Sequence, residues 1–331
     1  MTASDPEMQS IDRPATDNRP IAVGVNDSAG ALLAVEWAAR EAVRLGCSLR
    51  LVHAYPVNVL HEPLTAPIGH ERAEILFGAA RERIHIPAND GLPVSSTAQQ
   101  GSAKRVLLHV ADGARMLVVG RERVGRLAEL VLGSTALACA GHTPVPVTVV
   151  PRMWMPAALD GGAIILGVDG SVRCRPAIEY AFATAARCEL PLTAVTVVGE
   201  RIGPRLGWAS GDNPLRSRAD GHRVLEEALA GFRETFPSVE VRTVVDDRTP
   251  VDALSAQLAR TADAGGDEST IAGTGTAGRA AAAALAGRVV IGGRGHGLVT
   301  GAMLGSVARS LLRGLPCPVT VVHAGEGRRT E

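Results

Sequence analysis

The residues most able to do chemistry lie between Val289 and Val307. Gly292 is followed after two residues by Gly295, then after nine residues by Gly305, Ser306 and Val307. An apolar run, Val289–Ile291, precedes them, and a helical pattern continues to Leu312. Glycines let backbone amides turn toward a ligand without Cβ clashes. A ring of amides leading into a helix N-terminus favours an anion such as phosphate. Ser306 adds a hydroxyl there. The loop carries no Walker lysine, since Lys104, the sole lysine, is remote from it in sequence. That weighs against a fast P-loop ATPase. His296, inside the glycine loop, reads as a surface histidine, and His53, mid-strand, as a core or site-lining one. Asp246 and Asp247 precede Thr249-Pro250, a natural helix start where acidic side chains favour the dipole. The segment contains neither a G-x-S-x-G elbow nor metal-ligand spacing, and no residue qualifies as a general base or a nucleophile with a partner.

The elements that must position these residues alternate strand and helix. Ile21–Ser28 reads as a buried strand ending in a polar turn. Gly30–Leu45 has helical apolar spacing, with Glu36, Arg40 and Arg44 on the opposite face and Gly46 as a left-handed cap. Leu49–Tyr55 is a second strand, and a helix follows over about 70–84. Val94–Gln100, Met116–Gly120 and Val145–Val150 are further strands. Ser102 caps a helix reaching Ala111, and a helix runs from Gly133 to about Ala140. Most of the strands are continuous apolar runs, as in a parallel sheet covered on both faces. Right-handed crossovers then give a doubly wound sheet, which binds its ligand at the carboxyl ends of its strands.

The pattern occurs twice. IILGVDGS repeats IAVGVNDS, and LTAVTVV repeats LRLVHAY, at an offset of 143 residues (21 to 164). VVIGGRGHG follows LVVGRERVG, and CPVTVVH follows VPVTVVP, at an offset of 172 (147 to 319). The chain is a tandem duplication whose second copy is longer by 29 residues (172 less 143). We expect a disordered leader over 1–18, a first domain over 19–151, a linker over 152–162 and a second domain over 163–325. An insertion of Gly, Ala and Thr is expected over about 264–288, with a short helix over 280–285.

Composition removes several classes. The 331 residues carry zero formal net charge, so no basic patch invites nucleic acid or an anionic membrane. Only 3% are aromatic, so Val, Leu, Ile and Ala must fill the core, and Trp37, Trp154 and Trp208 read as packing residues. Cys47, Cys139, Cys174, Cys188 and Cys317 are scattered, odd in number and without C-x-x-C spacing, as small hydrophobes in a reducing compartment would be. The expected location is cytoplasmic.

Both halves resemble universal stress protein domains. The likeness rests on a first strand ending in Gly167, Val168, Asp169, Gly170 and Ser171, on the G-x-x-G, nine residues, G-[ST] signature, and on a closing P-V-T-V-V-type strand. It implies an α/β fold: two tandem doubly wound parallel five-stranded sheets of order 3-2-1-4-5, Rossmann-like and of the adenine nucleotide alpha hydrolase kind. It implies ATP as the cofactor, with Mg2+ between phosphates, in a regulatory stress-response module with slow or no hydrolysis. By position, Asp169 would face base or ribose, with Gly167 and Val168 before it, and Val197 would offer backbone groups to adenine. Gly292 and Gly295 would close on ribose and phosphate, while Gly305, Ser306 and Val307 would hold phosphates. The first half departs from this pattern. Val25, Ala54, Gly120, Gly133, Ser134 and Thr135 match, but Asn26 replaces the aspartate, Asp27 the glycine after it, and Arg123 the second signature glycine. An amide donates as well as accepts, and Arg123 puts a side chain into a loop that wants none. Family members pair through the fifth strand, so Val145–Val150 and Val319–Val322 are expected to pair within the chain, and a homodimer is a further option. Two alternatives stay open: a scaffold with empty sites acting through dimerisation, and binding of AMP or a cyclic nucleotide.

Overall fold

The structure, a computed structural model, describes residues 18–56, 62–84, 91–122, 133–154, 163–199, 217–265, 287–293 and 304–323. The first half runs β1 (Ile21–Gly24), α1 (Ala29–Leu45), β2 (Leu49–Tyr55), α2 (Glu62–Ile84), β3 (Val94–Gln100), α3 (Ala103–Ala111), β4 (Met116–Arg121), α4 (Ser134–His142) and β5 (Val147–Pro151). The second runs β6 (Ala163–Gly167), α5 (Arg175–Cys188), β7 (Leu192–Val197), α6 (Arg218–Thr235), β8 (Val241–Asp246), α7 (Pro250–Gly265), β9 (Gly287–Gly292), α8 (Ser306–Gly314) and β10 (Val319–Val322). A 3₁₀ turn, Val172–Cys174, precedes α5.

Each half is the expected parallel sheet of order 3-2-1-4-5. The two are joined edge to edge in one ten-stranded sheet, β3-β2-β1-β4-β5-β10-β9-β6-β7-β8. The junction is the fifth-strand pairing, antiparallel, with Thr320 opposite Thr148. These two threonines are equivalent under the 172-residue offset, and their Oγ1 atoms lie 2.8 Å apart. A pseudo-twofold axis therefore passes between them. Each half would otherwise leave a row of backbone groups unpaired at this edge.

Burial follows the same symmetry. One sheet face carries an apolar cluster running through both halves, from Val106 and Leu107 of α3 to Leu311 and Leu312 of α8. The other face carries two clusters, one under α1 and α2 and one under α5 and α6, and Tyr180 packs against both. Trp37 and Trp154 are buried in the first of these, as packing residues should be.

Several expectations need correction. The second helix starts at Glu62 rather than near His70. Glu36 is not on a solvated face: it is 5% exposed, covered by α2, and paired with Arg40 at 3.1 Å and Arg83 at 3.8 Å. Arg288, assigned by sequence to the end of the insertion, belongs to β9 opposite Ile164 and is buried. The leader to residue 17, Trp208, and the expected helix over 280–285 lie outside the described residues. The caps explain where helices begin and end. Ser28 Oγ accepts from Ala31 N (3.1 Å) at the start of α1, and Gly46 closes it at φ 62°. The position equivalent to Gly46 in α5 is Glu189, which adopts φ 53° despite its Cβ.

Candidate functional site

In a sheet of this order the two central strands send their helices to opposite faces, and a crevice opens between the loops that follow them. In the second half those strands are β6 and β9, paired in parallel with Leu166 opposite Val290. Gly167 closes β6, and a Cβ built on it would lie 3.2 Å from Ile291 Cγ2, so the Ile291 side chain lies over its backbone. Val168 N donates to Val195 O at 2.8 Å, carrying the pairing one residue past the strand. Asp169 then turns the chain: its Oδ1 accepts from Ser171 N at 2.9 Å. Gly170 has φ 77°, and a Cβ there would meet Val224 Cγ1 at 2.8 Å, so both backbone and space require glycine. Val197 ends β7 opposite Asp246.

On the other side of the crevice β9 ends at Gly292, and Gly293 N donates to Val322 O at 2.9 Å. Gly305 N donates to Gly293 O at 2.9 Å. That bond sets the first turn of α8 at the end of β9, on the carboxyl edge shared with Asp169. Gly305 is the N-cap of α8 and makes no side-chain cap, whereas Ser28, Ser102 and Ser217 cap α1, α3 and α6 with their hydroxyls. Ser306 is exposed and Val307 half-buried. Gly295 and His296 lie outside the described residues.

The first half builds the same edge with different fillings. Val25 N donates to Val52 O at 2.8 Å, the equivalent bond. Asn26 Oδ1 accepts from Ser28 N at 3.0 Å, so asparagine keeps the turn that Asp169 makes. Asp27 is not at positive φ, unlike Gly170, and its carboxylate pairs with Arg72 at 2.7 Å. Gly120, at the end of β4, touches the start of α1: a Cβ on it would lie 2.4 Å from the Gly30 carbonyl. Ala54 is half-buried, and Gly133, Ser134 and Thr135 open α4, again with no side-chain cap. Arg123 lies outside the described residues.

Glu122 is the residue that sequence reasoning missed. It occupies the second variable position of the first signature loop. Its Oε2 accepts from Gly30 N at 2.9 Å, and its Oε1 accepts from Arg152 at 3.0 Å. A carboxylate thus sits at the positive end of α1, where an anionic ligand would otherwise be favoured. Only the repeat alignment hints at it, because residues between signature glycines carry no type of their own.

Other candidates resolve into structural roles. His53 is buried and its Nδ1 donates to Val25 O at 2.8 Å, so it lines the turn rather than reacting. Asp246 ends β8, four residues before α7 begins at Pro250. Arg248 holds it through a side-chain hydrogen bond (2.9 Å from Nε) and keeps its carboxyl below the ordinary range. Burial pushes the Cys174 thiol up to about 12, with the Asp169 carboxylate adding to the effect, and burial does the same to Cys139. Neither is a thiolate nucleophile. Among the described residues no group of His, Cys, Asp or Glu could hold a metal ion. No described helix is long and apolar enough to cross a membrane.

Known proteins carry the same architecture. A universal stress protein of Mycolicibacterium smegmatis is 30% identical over 322 residues, covering 92% of this chain and 96% of its own. One from Mycobacterium tuberculosis is 28% identical over 336 residues, covering 92% and 95%. The crystal structure of a universal stress protein from Archaeoglobus fulgidus superposes with a TM-score of 0.63 at 18% identity, over 93% of this chain and 99% of that one. A Pseudomonas aeruginosa structure gives 0.55 at 16% identity, over 93% and 94%. The family model for universal stress proteins matches twice, over residues 17–151 and 162–323, so the chain belongs to the universal stress protein family, with two copies of its domain in tandem.

Proposed function

We propose that the second half binds an adenine nucleotide, ATP in the first instance, and that the chain is a nucleotide-regulated stress module rather than a catalyst. The domain bounds we assign are 19–151 and 163–325. The observation that carries the reading is the bond from Gly305 N to Gly293 O. It sets an uncapped helix start at the end of β9, on the sheet edge where Asp169 turns the chain. Bare amides there suit phosphates, and the Asp169 carboxylate suits a ribose hydroxyl or a base amine. The described residues offer no metal cluster, so any Mg2+ would be held by the phosphates, not by a protein cage. Among the described residues no general base or activated nucleophile faces this edge, which favours slow hydrolysis or none.

The first half supports the same reading by contrast. Glu122, just past the end of β4, bonds the start of α1 and places a negative charge on the same carboxyl edge, where it would repel a phosphate held at the start of α4. We therefore assign one nucleotide per chain, in the second half.

The test is direct. The natively purified protein is denatured and any released nucleotide identified, and ATP is then titrated into wild type and Gly295→Arg, a change that copies Arg123 of the first half. One equivalent of ATP, lost in the variant, is the expected result. Absence of binding by wild type would reject the reading in favour of a scaffold acting through its paired strands. A tighter response to AMP or a cyclic nucleotide would change the ligand but keep the site.

A further inference from the structure

The pseudo-twofold axis between Thr148 and Thr320 relates the two halves residue by residue, which allows each contact across the junction to be compared with its mirror image. The helix-end contacts have counterparts. Arg121 donates from Nη2 to Leu315 O at 2.8 Å and from Nη1 to Leu312 O, reaching the carboxyl end of α8 from the first half. In the other direction His323 Nε2 donates to Ala140 O at 2.6 Å at the end of α4. Ala140 and Leu312 are equivalent positions. The two halves reach them differently, because Gly293 stands where Arg121 would be. A Cβ on Gly293 would lie 2.1 Å from the His323 ring.

Among the described residues, the contact that buries charge at the junction has no such counterpart. Glu41 of α1 is fully buried and takes a bidentate hydrogen bond from Arg288 of β9, 2.7 Å at Nη2 with the second bond at Nη1. Arg288 is 4% exposed and its guanidinium carbon lies 5.4 Å from the Trp37 ring centre. Across the axis the equivalent positions are Thr184 for Glu41, Met116 for Arg288 and Tyr180 for Trp37. There the charged pair is replaced by neutral groups, with Thr148 Oγ1 3.5 Å from Met116 Sδ.

We infer that the buried Glu41–Arg288 pair makes the fifth-strand face selective: a first half accepts only a second half as its partner. Two first halves would bury Glu41 twice against Met116. Two second halves would bury Arg288 twice against Thr184. Each like pairing strands two charges in the interior, and a buried charge without its partner is strongly unfavourable. The helix-end contacts do not discriminate in this way. Arg121 would find the carbonyls of α4 in a like pairing, and His323 those of α8. The selective element is therefore the ion pair, an instance of repulsion used against the wrong partner. It confines the pairing to the chain's own two halves, or to complementary halves of two copies.

Full-length Glu41→Arg and Arg288→Glu chains test this. Each alone places like charges together inside its own junction. Co-expressed, they can relieve both clashes by exchanging halves. The first half carrying E41R then meets the second half carrying R288E, and the unaltered Glu41 of one chain meets the unaltered Arg288 of the other. Light scattering should show a 1:1 dimer of the two chains, favoured about a hundredfold or more over the separate chains. The single chain carrying both changes, E41R/R288E, should return to the wild-type mass and melting behaviour. The inference is overturned if either single variant matches wild type in mass and stability, if the double variant is no better folded than the singles, or if the co-expressed chains do not associate.

Discussion

Replacing Arg288 with Met copies the mirror position Met116 and leaves Glu41 without its bidentate partner. Burial alone raises the Glu41 carboxyl, but Arg288 and, behind it, Arg44 and Arg115 outweigh that, so the wild-type group sits below its ordinary value of 4.5. Losing one partner of a buried pair costs about 3–5 kcal/mol. Arg44 Nη1 lies 3.8 Å from Glu41 Oε2 and gives partial relief, which puts the expectation at the low end, about 3 kcal/mol at pH 7. The pH dependence has a defined sign. A carboxyl lowered on folding supplies stability that is present above its unfolded value and fades as pH falls through the folded one. In the variant burial is no longer outweighed by Arg288, the carboxyl rises, and the deficit against wild type shrinks toward about pH 4. The double change E41T/R288M makes both sides of the axis alike. It should lie within about 1 kcal/mol of wild type, since well-packed neutral groups commonly replace a buried pair without loss. Urea unfolding followed by far-UV circular dichroism, with tryptophan fluorescence reporting near Trp37, measures all three proteins at about pH 7 and about pH 4. A single-variant loss under about 1 kcal/mol, or one that grows on acidification, would refute the reasoning.

Gly120→Ala should destabilise by about 2 kcal/mol, because its Cβ meets backbone atoms of Gly30 and Ala31 that cannot rotate away, while Gly78→Ala, inside α2 with open space around it, should stabilise by up to about 1 kcal/mol; thermal melts compare them. Glu122→Ala should cost under about 1 kcal/mol, since Arg152 is half exposed, and together with Arg123→Gly should give ATP a second binding event in calorimetry; a stoichiometry unchanged from wild type in the double variant would show that these two side chains are not what closes the first crevice. Glu189→Gly should stabilise by about 1 kcal/mol, relieving the Cβ at φ 53° where the first half already uses Gly46, and a lowered melting temperature would count against the strain.

The sheet was legible because the duplication is. Two constant offsets align Val25 with Val168 and Thr148 with Thr320, and apolar strand runs fix which segments lie side by side. The serine caps and Gly46 were legible as local chemistry. What escaped was set by side chains remote in sequence. Arg288 looked like the polar end of a loop because nothing near it in sequence announces Glu41, some 247 residues away. Glu36 matched a solvated stripe by spacing, and only the packing of α2 shows that it is covered. Glu122 passed unnoticed between two signature positions, although its hydrogen bond to Gly30 places a carboxylate at the start of α1. On the site itself, the sequence named the turn at Asp169 and the glycine start of α8, and the structure adds the bond that sets that start at the end of β9.

Fusing two copies of one fold into a single polypeptide has an effect that a pair of identical subunits cannot achieve. In a symmetric dimer every substitution appears on both sides, so a pocket cannot be sealed without sealing its twin. Here Asp27 and Glu122 alter one side of the Thr148–Thr320 axis while Gly170 and Asp169 stand unaltered on the other. A fused chain is free to keep one compartment as a receptor and turn the other into a permanently filled strut.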